Sequence, residues 1–261
     1  HAELIVEAMG VKGSNGVATP ACTEPSNIAE LRDSSPELGP QEASQYRGIA
    51  ARLNYLAMDR GDLQFAAKCA ARYMSSPREH DWTILKRTAR YLITVPRLVQ
   101  KFVWQTLPEF VHTYTDSDWA GDKQSRKSTS GGAMMLGKHL IKSWCTTQQV
   151  IATSSGEAEL YALVKGAYQT KGLISMLVDM RHVLDGKVCT DASAAVGIVH
   201  RRGLAKVKHL DVQYLWIQQE VYDGRLGVEK VGTLVNPADL FTNHSLSEAT
   251  LEQLVAPHGC T

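Results

Sequence analysis

Between Ser44 and Leu92 apolar side chains recur every three or four residues, at Ile49, Leu53 and Leu56, then Leu63, Ala66, Ala67 and Ala70, then Trp82, Leu85, Ala89 and Leu92. That period predicts three amphipathic helices. Breaks fall at Arg60-Gly61-Asp62, where Asp62 is placed to cap the second helix, and at Ser75-Ser76-Pro77, which closes it. Ahead of Ser44, Gly10, Gly13, Gly16, Pro20, Pro25, Pro36 and Pro40 read as a loosely structured lead-in with room for a short helix at 2–9. Val99 to Trp104 predicts a strand and Thr106 to Pro108 a linker.

Beyond Pro108 the texture turns α/β. Val111 to Trp119 is an extended run, and Gly131 to Leu136 pairs with Leu140 to Cys145 as a hairpin. A long helix is expected from Ser154 to about Met180. A short strand at Val188 to Thr190 runs into a helix from Ala192, and an amphipathic helix follows from Val207 to Tyr222. Leu226 to Val231 makes a fifth strand, and Pro237 opens a last helix. The expected organisation is therefore a lead-in over 1–44, a helical segment over 45–108, an α/β unit over 109–246 and a tail over 247–261.

Composition narrows this picture. At 261 residues with 44% hydrophobic and 21% charged side chains, the chain can bury one large core or two smaller ones, and two domains are expected. Apolar runs are short and interrupted by charge, and there is no basic and apolar leader, so neither export nor membrane insertion is expected. Five cysteines without a C-x-x-C pair give no disulfide framework or zinc ribbon. The net charge of +1 does not announce a nucleic-acid binder. Basic residues nevertheless cluster at Lys123, Arg126 and Lys127, at Lys138, His139 and Lys142, and at Arg201, Arg202, Lys206, Lys208 and His209. Such clusters flanking acids suit a polyanion held by its phosphates beside an acidic pocket.

Four of those acids fall at strand centres or helix starts: Asp116, Glu159, Asp191 and Asp239. Carboxylates on separate rigid elements can hold a pair of divalent ions, because Mg²⁺ takes carboxylate, water and phosphate oxygens in octahedral geometry. Asp116 and Asp118 share a strand face, so alternation does not choose between them. Ser154-Ser155-Gly156-Glu157 fits a capping box in which Glu157 bonds back to the Ser154 amide, leaving Glu159, on a nearly opposite face, for chemistry. Asp191 and Asp239 each have a capping alternative at a helix start.

The string Tyr114-Thr115-Asp116-Ser117-Asp118-Trp119-Ala120-Gly121-Asp122, followed by Arg126-Lys127-Ser128-Thr129-Ser130-Gly131-Gly132, resembles the opening of the ribonuclease H domain of copia-type LTR retrotransposon Pol polyproteins. Residues 154–163, 189–195, 208–214 and 236–242 resemble that family's later motifs, in the same order, and Tyr46 to Ala57 resembles its connection segment between polymerase and nuclease. The resemblance implies a ribonuclease H-like mixed five-stranded sheet flanked by helices, preceded by a mainly helical connection or thumb-like segment. It favours Asp116 over Asp118, and it makes Asp116, Glu159, Asp191 and Asp239 both catalytic and metal-binding.

The cofactor implied is two Mg²⁺ ions, with Mn²⁺ as a substitute. The activity implied is cleavage of the RNA strand of an RNA–DNA hybrid, leaving 5′-phosphates. Partners would be the hybrid and an upstream polymerase of the same polyprotein, with no membrane, and the place cytoplasmic, within virus-like particles. Arg126, Lys127, Ser128, Thr129, Ser130, Lys208 and His209 are the candidate nucleic-acid contacts, the hydroxyls being suited to phosphate or the RNA 2′-hydroxyl. No histidine lies in 228–235, where cellular ribonucleases H resemble one another in carrying one. Trp119, Trp144 and Trp216 could stack on sugars or bases, but tryptophans in α/β domains more often fill cores, so no role is assigned to them. Competing classes are a catalytically inactive module that binds template-primer, and a transposase or integrase, whose acids run Asp, Asp, Glu along the chain rather than Asp, Glu, Asp, Asp. No Asp-Asp dipeptide occurs, so the chain lacks the paired aspartates of a polymerase palm.

Overall fold

The computed structural model describes residues 1–21, 27–201, 216–243 and 246–260. Its first half is helical: α1 (Ala2–Ala8), α2 (Ile28–Asp33), α3 (Pro40–Leu56), α4 (Gln64–Arg72) and α5 (Trp82–Thr94). The three expected helices are α3, α4 and α5, and Pro40 opens α3 at a position where its missing N–H costs nothing. Asp62 does not cap α4. It lies in a 3-10 turn, buried, and accepts from Arg60 Nε at 2.9 Å and from the Tyr91 hydroxyl at 2.8 Å. A guanidinium buried as deeply as Arg60 demands a carboxylate, and that demand outweighs a cap.

Val99 to Trp104 also departs from expectation. It joins no strand; apart from an isolated bridge between Gln100 and Cys260, side chains hold it, Gln100 Nε2 donating to the Leu140 carbonyl and Gln105 Nε2 to that of Leu136. Its Phe102, Val103 and Trp104 are exposed, so a strand-like composition here buries nothing.

The sheet comprises β1 (Phe110–Asp118), β2 (Thr129–Leu136), β3 (His139–Thr147), β4 (Asp185–Thr190) and β5 (Gly227–Lys230), in the order β3-β2-β1-β4-β5. β1, β2 and β3 form an antiparallel meander, while β4 runs parallel to β1 and β5 parallel to β4. The mixed five-stranded sheet with flanking helices is thus the one expected. The connections run through α6 (Ser155–Asp179), α7 (Ser193–Val199) and α8 (Trp216–Tyr222), and α9 (Glu248–Val255) follows the sheet.

Alternation along the strands sorts side chains to two buried faces. Val111, Thr113 and Thr115, all fully buried, meet α6. Gly166 permits the approach: a Cβ there would lie 2.4 Å from Thr115 Cγ2. Tyr114 and Ala133 point the other way, into a core with Tyr46, Leu53, Leu63, Leu85 and Leu92 of the helical half and Phe241, Leu251 and Leu254 from beyond the sheet. Each such leucine contributes about 2 kcal/mol on burial. The segment expected as a loose lead-in carries α1, whose Ile5 is fully buried in this core, and the expected tail supplies α9. Glycine and proline there shorten the helices without preventing apolar burial.

Candidate active site

Parallel pairing of β1 with β4 sets the site. Tyr114 lies opposite Cys189, so Asp116 and Asp191, each two residues on, emerge side by side at the carboxyl ends of adjacent parallel strands. This is where open α/β sheets bind ligands. Glu159 comes from the second turn of α6, aimed at the same point. Each of Asp116, Glu159 and Asp191 offers an oxygen, and these oxygens lie within 4.8 Å of one another.

Asp239 sits on a 3-10 turn, Pro237–Phe241, and lines a shallow pocket of about 230 Å³ with Asp116, Asp118, Asp191, Thr233, Thr242 and Asn243. The turn can press against β2 because residue 131 is glycine: a Cβ there would fall 2.7 Å from Thr242 Cγ2 and 3.0 Å from the Ala238 carbonyl. Asn236 anchors it from the other side. Its Nδ2 donates to the Thr115 carbonyl at 3.1 Å, and its Oδ1 accepts from the Ala238 amide at 3.2 Å.

Both capping alternatives are thereby answered. Asn236, not Asp239, caps the turn, and the N-cap of α7 is Ala192, with no side-chain cap from Asp191. At α6 the Ser154 hydroxyl accepts from the Glu157 amide at 3.2 Å, as a capping box requires. The reciprocal bond lands one residue early: Glu157 Oε2 accepts from the amide of Thr153 at 2.7 Å, not from that of Ser154. Glu157 stays structural, and its other oxygen accepts from Tyr161.

Electrostatics mark the cluster as unfinished by protein groups alone. Burial, then the charge of Asp116, pushes the Glu159 carboxyl up to about 8. Burial, then Asp116 and Asp191, pushes Asp239 up to about 7, and burial foremost raises Asp116. Glu159 Oε1 accepts from the Ser117 amide at 3.1 Å and the Ser117 hydroxyl at 2.9 Å, and Thr242 donates to Asp116. Among the described residues no hydrogen-bond donor reaches the buried Glu159 Oε2 or Asp239 Oδ1. Among the described residues none of the four acids forms an ion pair. Crowded, buried, donor-poor carboxylate oxygens are the chemistry of a hard divalent cation site.

The remaining candidates separate. Arg126 is exposed and Lys127 half-buried in the loop after β1, but Ser128, Thr129 and Ser130 are buried. Their hydroxyls are spent inside the protein: Ser128 accepts from the Ala120 amide, Thr129 from Lys68 and Ser130 from Gln148. Lys208 and His209 lie outside the described residues. Trp144 is core, whereas Trp119 is 49% exposed, with its indole N–H donated to the Ala152 carbonyl. Sequence reasoning passed over Ser117, Asn236 and Thr242, which orient the acids. Asn236 before Pro237 was a readable signal, being a cap residue ahead of a favoured first helical position.

No protein-family model matches the chain. The retrovirus-related Pol polyprotein from transposon RE2 of Arabidopsis thaliana is 31% identical over 230 residues, 87% of this chain and 15% of that protein. The corresponding polyprotein from transposon RE1 is 30% identical over 224 residues, 84% of this chain and again 15% of the relative. A shorter match, 33% over 115 residues, joins 44% of this chain to 80% of Secreted RxLR effector protein 161 of Plasmopara viticola. Among solved structures, the N-terminal RNase H domain of a Mycobacterium tuberculosis protein superposes on 57% of this chain and 98% of its own at a TM-score of 0.38 and 16% identity, a level that adds nothing to the strand order itself. The chain spans about 15% of the length of the two plant polyproteins, with which most of its own length aligns. By that alignment and the ordered motifs it belongs with the retrovirus-related Pol polyproteins of copia-like transposons.

Proposed function

We propose that this chain is a metal-dependent endonuclease that hydrolyses the RNA strand of RNA–DNA hybrids. The observation carrying the proposal is the convergence of Asp116, Glu159 and Asp191 from two parallel strands and a helix onto one point, with Asp239 in the adjoining pocket. Asp116, Glu159, Asp191 and Asp239 would hold divalent cations, Mg²⁺ or Mn²⁺. Bound there, the cations would supply a water activated at neutral pH and neutralise charge on the leaving 3′ oxygen. Ser117 fixes the Glu159 carboxylate, Thr242 fixes that of Asp116, and Asn236 holds the turn bearing Asp239. Water adds to phosphorus as the P–O3′ bond breaks, giving a 5′-phosphate and a 3′-hydroxyl.

The expected division into a helical connection-like segment over 45–108 and a nuclease unit over 109–246 fits a place in a polyprotein, beside an upstream polymerase and within virus-like particles. Among the described residues no helix is long and apolar enough to cross a membrane. The test is purified chain with Mg²⁺ and a hybrid labelled on the RNA strand. Cleavage that disappears in Asp191→Asn supports the proposal. No cleavage, together with calorimetry showing no divalent-ion binding, sinks it. Ion binding without cleavage indicates the inactive template-primer module.

A further inference from the structure

A second cavity, of about 660 Å³, opens where the helical half meets the loop after β1. Its lining joins Lys68 and Arg72 of α4, Arg87 of α5, and Trp119 and Arg126 of the loop, and it includes Asp118, which also lines the pocket of the carboxylate cluster. The two hollows therefore adjoin.

The charges in the cavity are not all spent. Arg32 pairs with Asp81 at 3.0 Å and Arg72 with Asp122 at 3.2 Å. Lys68, Arg87 and Arg126 form no ion pair among the described residues. Lys68 donates to the Thr129 hydroxyl at 2.8 Å; Arg87 donates to that of Thr19, and its buried Nε has no partner among the described residues. The half-exposed Trp119 adds an open aromatic face, while Phe65 and Tyr73 are buried in the wall with Lys68 and Arg32 over their rings at 4.5 and 4.2 Å. The walls are braced across the junction, because Arg72 to Asp122 and Lys68 to Thr129 both tie α4 to the nuclease half. Arg126 holds a left-handed backbone, φ 58°, that a non-glycine residue rarely adopts, so the loop presents it from a constrained turn.

A hollow of this volume admits one or two nucleotides and is far too small for a duplex. Cations interleaved with aromatic rings are the composition of surfaces that bind single strands, phosphates on the cations and bases on the rings. We propose that this cavity holds the single-stranded overhang of a nucleic acid whose hybrid portion lies at the carboxylates. The placement rests on the nuclease reading; strand binding by the cavity does not.

The test uses the full chain carrying Asp191→Asn, in EDTA, and fluorescence anisotropy with three probes: a blunt hybrid, the same hybrid with a single-stranded extension, and free oligothymidylate. The extended hybrid is expected to bind about tenfold more tightly than the blunt one. Arg87→Glu and, separately, Trp119→Ala should remove that advantage and weaken oligothymidylate binding while sparing the blunt hybrid. Lys86→Glu, an equal charge change on an exposed position of α5 outside the cavity, should leave all three alone. Equal affinity for blunt and extended hybrids, or an advantage that survives both variants, overturns the inference. Absent RNA cleavage by the unsubstituted chain in Mg²⁺, with the single-strand preference retained by Asp191→Asn in EDTA, would instead overturn the nuclease reading alone.

Discussion

Replacing Glu159 by glutamine should stabilise the metal-free protein while destroying its proposed activity. Glu159 is 9% exposed, and its carboxyl is raised from 4.5 to about 8. An acid whose folded pKa is raised stabilises fully below its unfolded value and loses that contribution as pH climbs toward the folded one. At pH 7 the gap of about 2.5 units is worth about 3 kcal/mol at 1.36 kcal/mol per unit. Glutamine keeps an oxygen to accept from Ser117 and carries no charge, so about 1–3 kcal/mol should be recovered once its weaker hydrogen bonds are counted. Urea unfolding in EDTA at pH 7 and pH 4.5 would show it, as a higher midpoint for Glu159→Gln at pH 7 that largely vanishes at pH 4.5. Adding Mn²⁺ should raise the wild-type midpoint and leave that of the variant in place, since only a state that binds the ion is stabilised by it. A variant no more stable at pH 7, or equally favoured at both pH values, would refute the account of the cluster as an electrostatically strained cation site.

Other expected outcomes follow from single contacts. Asn236→Ala removes the bond to the Thr115 carbonyl and the cap of the 237–241 turn, so stability should fall by about 1–3 kcal/mol and hybrid cleavage by more than the unfolded fraction explains, read by unfolding and kinetics on the same preparation. Gly131→Ala drives a methyl into Thr242 and the Ala238 carbonyl; it should cost about 1–3 kcal/mol and weaken Mn²⁺ binding by calorimetry, whereas wild-type ion affinity would show the turn is not held by that contact. His258 is buried, and burial lowers it from 6.5 to about 4. It stays neutral in the fold, so its contribution is present above pH 6.5 and lost as pH falls toward 4. At pH 5 this amounts to about 2 kcal/mol, and His258→Leu should lose less stability than wild type between pH 7 and pH 5.

Period-three-and-four apolar spacing made α3, α4 and α5 legible, and alternation with turn residues did the same for β1, β2 and β3, because in each case a buried face was written into local order. The exposed segment at 99–104 was misread for the converse reason. Its β-branched and aromatic residues matched a strand, but no neighbour offers it a ladder. At the site, motif order pointed to four acids whose meeting depends on the register of β1 against β4, a contact between residues 75 apart in sequence that no local pattern records. The Ser128 to Ser130 hydroxyls look available in sequence but are bonded inside the protein, Ser128 to Ala120, Ser130 to Gln148 and Thr129 to Lys68 of α4, which reaches across from 61 residues away.

The core that the helical half shares with Tyr114, Ala133 and Phe241 bears on processing. A protease cutting the connection at 96–108 would sever the backbone and little else, since the two pieces remain joined through an apolar seam braced by Arg72 to Asp122 and Lys68 to Thr129. Nicked protein should therefore migrate as one species on gel filtration and as two under denaturing conditions. A fragment expressed from residue 109 onward would bare the apolar surface that Tyr46, Leu53, Leu63, Leu85 and Leu92 cover and be prone to aggregation. In the polyprotein setting proposed above, a cut at this junction would therefore leave the two pieces associated.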